Sequence, residues 1–360
     1  MSYKFENNIQ MGFSDGYVER RISKNTFFLQ MNQLIDWQPI EKELKKVYKR
    51  GLKERGTKAY NPLLLFKMQL ISIWYNLSDV QTEAMVNDSL SAMRFCNLSI
   101  EDSVPDHSTL SRFRSELTQK KAYDRILKKI NKQLSDHKLI LTTGHAQVDA
   151  SLTQSPFNPK GKTTYELAQD RNEENRSQED KDKEEQYHQL KKVEQPGADH
   201  QARWVKKGGK SVFGYKKHIG TDNNGMVLGV HTTAANEHDS KGLEPLVDKI
   251  LPRQRKQVMA DKGFKSKAND QMLKEKGSKS RIMHKGYRNT PLTHWQVKYN
   301  KAISKKRWVV ERTFGSIKRW FGSGTTRLKG IEKVHSIHVL EAIAHNLKRS
   351  PGLLCQIAKT

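Results

Sequence analysis

Three acidic residues lie where the surrounding sequence does not favour an acid. Asp149 falls inside 146–152, where apolar residues alternate as in a half-buried strand, and aspartate is rare within strands. Asp261 follows a short β-forming run, at a strand end where open α/β sheets place ligands. Glu311 is the only acid among nine Lys and Arg residues in 301–330. Three carboxylates suit two Mg²⁺ ions, with Mn²⁺ as a substitute, which together activate water and stabilise the leaving oxygen of a phosphodiester.

Each of these carboxylates also has an ordinary structural explanation. Aspartate often caps turns and helices, so Asp149 or Asp261 alone would indicate little. Glu311 follows Arg307 by one helical turn, and an exposed pair at this spacing contributes only ~0.2–0.5 kcal/mol. Such a pair does not explain why so many cations surround one acid, whereas a site that holds nucleic-acid phosphates does. We therefore expect all three carboxylates to be catalytic and to bind the metal ions.

The elements that must position these residues follow from the periodicity. Beyond residue 140 the apolar pattern has a period of two, and two β-forming runs, 212–221 and 226–234, flank the turn sequence Asp222–Gly225. This combination predicts a β-hairpin. The elements predicted after it are a helix from about Ser240, a strand at 257–260, a helix at about 266–276 and a strand near 280–284. Strands that alternate with helices indicate a mixed α/β sheet, here within a domain that spans 139–350.

Glu311 is predicted to lie on a helix from about Ser304 to Phe321. Apolar residues recur along it at helical spacing and predict one buried stripe, made of Val310, Phe314, Ile317 and Phe321. Arg307, Glu311 and Lys318 form a neighbouring stripe. The acid would therefore stand beside the core with a cation on either side of it.

Residues 1–138 are predicted to form a helical domain. Apolar residues from Pro62 to Tyr75 follow helical spacing, and a second helix is expected over about 80–95. The segment Pro105–Arg114 then begins with a helix cap, either Asp106 or Ser108. Short helices and a basic segment resemble a helix-turn-helix, in which Arg112 and Arg114 would contact DNA. A small bundle that merely exposes both arginines is the alternative.

The net charge of +26 indicates an acidic polymer as partner. The excess is local, since residues 251–288 hold 12 Lys and Arg against three acids. We expect Arg307, Arg312 and Lys318 to hold DNA phosphates, and binding should therefore depend strongly on salt. The further candidates for DNA contact are Arg319 and Lys262.

Several classes of protein are excluded by composition. No apolar run exceeds the four residues Leu63–Phe66, whereas about 20 are needed to span a membrane, and the N-terminus lacks the apolar stretch of a secretory signal. The two cysteines form no disulfide framework. The sequence Lys207–Lys210 lacks the spacing of a nucleotide-binding P-loop. We expect a cytoplasmic protein associated with the nucleoid.

A polar segment interrupts the predicted sheet. Residues 153–210 separate the first two predicted strands, and we expect this insertion to be mobile. Within it, residues 170–188 carry eight acids and four bases and no aliphatic side chain. Such a stretch cannot bury itself, so a linker or a solvated helix is expected.

The three carboxylates and their neighbours resemble those of the DDE transposases of bacterial insertion sequences. The resemblance rests on Val148–Ser151, Ala260–Phe264 and Val309–Gly315, in that order, with Arg307 and Lys318 at the spacing of the signature arginine and lysine. The N-terminal segment Pro105–Arg114 is also similar to that of the insertion-sequence-five family.

The resemblance implies a ribonuclease-H-like catalytic domain, with Asp149, Asp261 and Glu311 as its catalytic triad. It implies cleavage of double-stranded DNA at the element's ends and strand transfer into target DNA, by a chain that is a homodimer when bound to DNA. Ser304 replaces the tyrosine that related families place three residues before the arginine. The alternatives are a metal-dependent nuclease without strand transfer and a DNA-binding relative that is catalytically inactive.

Overall fold

The computed structural model of the chain describes residues 3–4, 13–22, 26–50, 58–142, 144–161, 165–167, 190–192, 195 and 197–357. As far as residue 136 the named elements of the described chain are all helices, and beyond it helices alternate with strands. The predicted fold class is confirmed, since an N-terminal helical region precedes a ribonuclease-H-like mixed α/β sheet. No described helix has both the length and the apolar character that crossing a membrane requires.

The N-terminal helices pack around one central helix. They are α1 Phe13–Arg21, α2 Phe27–Leu34, α3 Gln38–Val47, α4 Pro62–Trp74, α5 Asp79–Asp88, α6 Leu90–Phe95, α7 His107–Gln119 and α8 Ala122–Asp136. Helix α4 is apolar on nearly every side and is therefore buried all round. It begins where predicted because the Asn61 side chain accepts a hydrogen bond from the Leu63 N–H at 2.8 Å, and because Pro62 needs no amide partner in the first turn.

The helix predicted over 80–95 is in fact two helices, α5 and α6. The hydroxyl of Ser89 accepts a hydrogen bond from the Ala92 N–H at 3.4 Å and so caps α6, while its own N–H ends α5 by donating to the carbonyl of Met85 at 3.0 Å. A serine side chain competes in this way with the regular helical pairing. Asp106, rather than Ser108, caps α7.

The main sheet has the strand order β6–β5–β1–β7–β8, with β4 on the first part of β5. Its strands are β1 His145–Gln154, β4 Arg203–Lys207, β5 Lys210–Thr221, β6 Val227–Ala234, β7 Gln257–Ala260 and β8 Lys279–Ile282. Strand β1 runs antiparallel to β5 and parallel to β7, and β7 is parallel to β8. The later helices are α9 Leu243–Val247, α10 Lys267–Glu275, α11 His294–Phe321 and α12 Ile331–Ile357.

The predicted hairpin is confirmed and the predicted start of the long helix is wrong. Strands β5 and β6 pair through the turn Asp222–Gly225, in which Gly225 has φ +78°. Helix α11 starts at His294, ten residues before Ser304, because Thr293 and Gln296 form a capping box. The added turns are largely polar, so they carry no clear apolar stripe for the sequence pattern to show.

The predicted insertion contains more structure than expected. Strand β4 lies within 153–210 and pairs with β5, and two short strands, β2 Tyr165–Leu167 and β3 Leu190–Lys192, pair with each other. The acidic segment 170–188 lies outside the described residues. The sequence does contain a signal for strand β4, because a two-residue Gly-Gly connection such as Gly208–Gly209 indicates a hairpin.

Helices and sheet share one continuous core, which includes side chains from α4, α8, β1, β6 and α12. The domain boundary at residue 138 therefore stays a prediction. Within this core, Asn346 of α12 accepts a hydrogen bond from the Val227 N–H at 2.7 Å and donates to Asn131 of α8 at 2.9 Å. The Asn131 amide in turn donates to the carbonyl of Val227 at 3.0 Å. These two side chains join α8, α12 and the edge of β6.

We expect Asn346→Ala to lower the free energy of unfolding by about 2–4 kcal/mol, because it leaves buried polar groups of Asn131 and Val227 unpaired. Denaturant titration measures this loss. The matched control is Asn87→Ala, which removes one exposed hydrogen bond to the carbonyl of Glu83 and should cost under about 0.5 kcal/mol. Equal losses in the two variants would contradict a structural role for the buried amide.

Candidate active site

Two of the three carboxylates lie side by side because of the strand register. Val148 of β1 is the partner of Ala260, the last residue of β7, in the parallel pair. Asp149, still within β1, and Asp261, the first residue after β7, therefore occupy neighbouring positions. Paired strands are ~4.8 Å apart. Asp261 already lies beyond β7, where its side chain accepts a hydrogen bond from the Lys262 N–H at 2.6 Å and opens a short 3₁₀ turn. The carboxylate of Asp149 accepts one from the Ala150 N–H at 2.9 Å.

Helix α11 brings Glu311 to the same side of the sheet. Its predicted apolar stripe is buried against the core, and the members of that stripe are Val310, Phe314, Ile317 and Phe321. The Thr313 hydroxyl donates to the carbonyl of Gly225 at 3.1 Å. A Cβ at Gly225 would lie 2.9 Å from that hydroxyl, so glycine there permits the close approach of helix and hairpin as well as the turn itself.

A buried lysine fixes the C-terminal end of α11. Lys217 of β5 donates to the hydroxyl of Ser323 at 2.6 Å and pairs with the carboxylate of Glu341 on α12. Ser323 also donates to Glu341 at 2.9 Å. All three side chains are buried. Sequence reasoning missed Lys217, since nothing in an alternating strand distinguishes a paired buried lysine from an exposed one.

Arg307 links two of the three carboxylates. Its guanidinium nitrogen Nη2 lies 3.1 Å from Oδ2 of Asp149 and 3.6 Å from Oε1 of Glu311. The Arg307 side chain is only 7% exposed, whereas that of Glu311 is 60% exposed. The helix pair expected from the sequence is therefore real, and its arginine points into the sheet as well. The Nε of Arg307 is buried without a hydrogen-bond partner.

The surroundings of Asp149 disfavour its charge. Burial raises the pKa of this carboxyl above its ordinary value, and the negative charges of Asp261 and Glu311 raise it further. Arg307 and the backbone hydrogen bond from Ala150 act in the opposite direction without cancelling the burial. The three carboxylates thus lie close enough to repel one another, and added positive charge would relieve that repulsion.

The donor chemistry of these residues fits a hard divalent cation. Carboxylate oxygens are the ligands that Mg²⁺ and Mn²⁺ prefer, and the negative charges of Asp261 and Glu311 contribute, after burial, to the raised pKa of Asp149. In the described part of the chain, no three His, Cys, Asp or Glu side chains are grouped closely enough to hold a metal ion. The guanidinium of Arg307 supplies the positive charge between Asp149 and Glu311.

The other cations predicted for DNA binding differ in their contacts. Arg312, Lys318, Arg319 and Lys262 are all exposed. The guanidinium of Arg312 stacks over Trp308, 4.5 Å from the ring centroid. The pKa of Lys318 is lowered by burial and by the nearby charges of Lys217 and Lys207. Lys318 therefore stands in a region of excess positive charge.

The two arginines of α7 have different surroundings. Arg112 is exposed, and its Nη2 donates to the hydroxyl of Ser108 in the same helix at 2.6 Å. Arg114 forms a two-pronged ion pair with Asp79 of α5, in which Nη1 lies 3.1 Å from Oδ2. That side chain is mostly buried. The ion pair joins α7 to α5, and the expected contact of Arg114 with DNA stays a prediction.

Ser304 is exposed on α11 and offers no aromatic ring. Tyr299 lies five residues earlier on the same helix and stacks on Trp295, with the ring centroids 5.3 Å apart. Its other neighbour is His284, at a centroid distance of 5.1 Å. The tyrosine is thus part of an aromatic cluster near the start of α11 and does not take the place of a residue at position 304.

Comparison with known proteins gives matches in both regions. A family model described as "Transposase DDE domain" matches residues 191–347, which include Asp261, Arg307 and Glu311 but not Asp149. A second model, described as "Transposase domain (DUF772)", matches residues 17–116 of the helical region.

The chain is also similar to a curated protein, the transposase for insertion sequence element IS1106 of Neisseria meningitidis serogroup B. The two are 35% identical over 244 residues, which are 68% of this chain and 78% of that relative. No solved structure matches the chain.

We expect Asp149→Asn to gain stability relative to the wild type as the pH rises. Because the pKa of Asp149 is raised by folding, the native state binds the proton more tightly than the unfolded state does. The free energy of unfolding of the wild type therefore falls as pH rises from the unfolded pKa through the folded one, and the variant lacks this loss. Urea titrations near pH 4 and at neutral pH measure the difference between the two proteins.

The control for that comparison is Ser151→Ala, which changes the same strand without a titrating group. Its effect on the free energy of unfolding should be the same at both pH values. The free energy of unfolding of Asp149→Asn minus that of the wild type should increase with pH. If this difference stays constant or decreases, the carboxylate is not destabilised by its surroundings.

We expect Arg114→Ala to lower the free energy of unfolding by about 2–3 kcal/mol, because it leaves Asp79 without its partner in a half-buried site. Arg112→Ala is the matched control on the same helix and should cost under about 0.5 kcal/mol. Denaturant unfolding separates the two. A loss of DNA affinity by Arg114→Ala with no loss of stability would instead assign this arginine to DNA contact.

Proposed function

The chain belongs to the DDE transposases of insertion sequences, and from that membership we propose that it cuts DNA at the ends of its own element and joins the freed 3′ hydroxyl to target DNA. Asp149, Asp261 and Glu311 are the proposed catalytic residues. The substrate is double-stranded DNA, and both steps are phosphoryl transfers.

One observation carries this proposal. Two adjacent parallel strands and one helix bring Asp149, Asp261 and Glu311 to the same side of the sheet, where the negative charges of Asp261 and Glu311 add to the effect of burial in raising the pKa of Asp149. A carboxylate whose charge is disfavoured by burial and by like charges costs stability, and structures retain such costs mainly at functional sites. The exposed cations Arg312, Lys318, Arg319 and Lys262 suit a phosphate backbone.

The three carboxylates would hold Mg²⁺ or Mn²⁺ through their oxygens. When bound, two such ions supply an activated nucleophile and stabilise the leaving oxygen. Arg307 would orient the carboxylate of Asp149 through its 3.1 Å contact. Arg312, Lys318, Arg319 and Lys262 would hold the DNA phosphates, and no residue of the chain need form a covalent bond to DNA.

The reaction also suggests how the protein works in the cell. An element has two ends that must be brought together, so we propose that two copies of the chain assemble on DNA. Since the proposed donor and target are both cellular DNA, the proposed place of action is the nucleoid in the cytoplasm.

The proposal is tested by the near-isosteric variants Asp149→Asn, Asp261→Asn and Glu311→Gln. We expect each to reduce Mg²⁺-dependent nicking of DNA that carries the element's terminal repeats by about a hundredfold or more, because each removes a charged metal ligand. DNA affinity measured without metal should stay close to that of the wild type. The assay resolves nicked, cleaved and strand-transfer products.

Asp136→Asn is the matched control, since this exposed acid ends α8 and should leave nicking unchanged. If any of the three site variants nicks DNA at the rate of the wild type, the residue changed in that variant does not belong to the proposed triad. Nicked product without any joined product would favour a nuclease without strand transfer. DNA binding without cleavage by the wild type would favour an inactive relative.

A further inference from the structure

Strands β4 and β5 form a two-stranded ribbon whose tip is basic and exposed. The tip is the turn Gly208–Gly209, flanked by Lys206, Lys207 and Lys210, and all five residues are exposed. Both glycines have positive φ, as a tight two-residue hairpin requires, and a Cβ at either would meet nothing within 4 Å. The ribbon therefore ends in open space rather than against the rest of the described chain.

The ribbon carries an unusual charge pattern. Lys207 lies directly opposite Lys210 in the strand register, and like charges at opposed positions destabilise a strand pair. Residues 200–221 contain six Lys and Arg and no acid. Within the described chain no ion pair involves Lys206, Lys207 or Lys210. Further along β5, by contrast, Lys216 and Lys217 pair with acids. The tip is thus a concentration of positive charge that an anionic partner would stabilise.

The strand register gives the distance of the ribbon tip from the proposed active site. Ile219 is the partner of Asp149, so Lys210 lies nine residues away along β5, or ~30 Å at the rise of a strand. Lys207 lies near enough to Lys318 for its charge to lower the pKa of Lys318. One turn of the DNA duplex is about 34 Å long, which matches this separation.

We propose that the basic β-ribbon, defined as Arg203–Lys207 with Lys210–Gly214, enters the major groove of duplex DNA about one helical turn from the phosphate that is cut. The major groove admits a two-stranded ribbon, and the lysines at the tip would reach the phosphates on its borders. This inference rests on the proposed function, because it takes the carboxylate cluster as the point of cutting. It adds a second contact that fixes the position of the duplex relative to that cluster.

The test compares the salt dependence of binding in two charge-matched variants. In Lys207→Ala/Lys210→Ala the ribbon loses two cations, and in Lys128→Ala/Lys132→Ala the exposed face of α8 loses two. Helix α8 contacts Val227 through Asn131, at the opposite end of β5 from the ribbon tip. Affinity for a duplex that carries a terminal repeat is measured over a range of salt concentrations, with EDTA present so that no cleavage occurs.

We expect the slope of log affinity against log salt to become shallower by about 2 for the ribbon variant, or about 1 for each lost phosphate contact. The α8 variant should keep the wild-type slope, and Lys207→Arg/Lys210→Arg should restore it. A duplex that ends about five base pairs from the cleavage point lacks the distant groove, so on it the wild type and the ribbon variant should have equal slopes.

Equal slopes for the ribbon variant and the wild type on the long duplex would overturn the proposal. A slope that the two charge-matched variants lower equally would overturn it as well, since it would show a general effect of net charge. A difference that persists on the short duplex would overturn the position one turn away. Failure of the proposed function is distinguished by the nicking assay. A wild type that never nicks DNA would contradict the proposed function but would leave the salt dependence of binding unchanged.

Discussion

The buried contact between Arg307 and Asp149 is the interaction on which the site depends. It joins helix α11 to the central strand β1 at a point where a lone carboxylate would be costly to bury. The guanidinium also lies 3.6 Å from Glu311, so a single positive charge organises acids that would otherwise repel one another. The surrounding contacts of α11, from Thr313 to Gly225 and from Ser323 to Lys217, keep that arginine in place.

The arrangement lowers the stability of the protein at the site where the proposed chemistry takes place. Burial and neighbouring charges raise the pKa of Asp149, so the protein holds an unfavourable carboxylate in the middle of its sheet. The core also contains a satisfied polar network, formed by Asn131, Asn346 and Val227. The unfavourable carboxylate of Asp149 lies instead beside Arg307, Asp261 and Glu311, and under the proposed function binding of metal would supply the missing compensation.

The structure shows which of the chain's positive charges are paired with acids and which are exposed. Several lysines and arginines are paired with acids of other elements, as Lys217 is with Glu341 and Arg114 with Asp79. Others are exposed, among them Arg312, Lys318 and the lysines at the tip of the β4–β5 ribbon. Counting cations along the sequence does not separate these groups, because pairing between elements is decided by packing.

The sequence by itself determined the class of fold and most of the elements, because apolar periodicity and turn residues act locally. The hairpin at Asp222–Gly225, strand β7 and the buried stripe of α11 all followed from such patterns. Only the tertiary structure decided that Arg307 reaches Asp149 and that Arg114 pairs with Asp79. These depend on contacts between residues far apart in the chain, which no local pattern of residue types encodes.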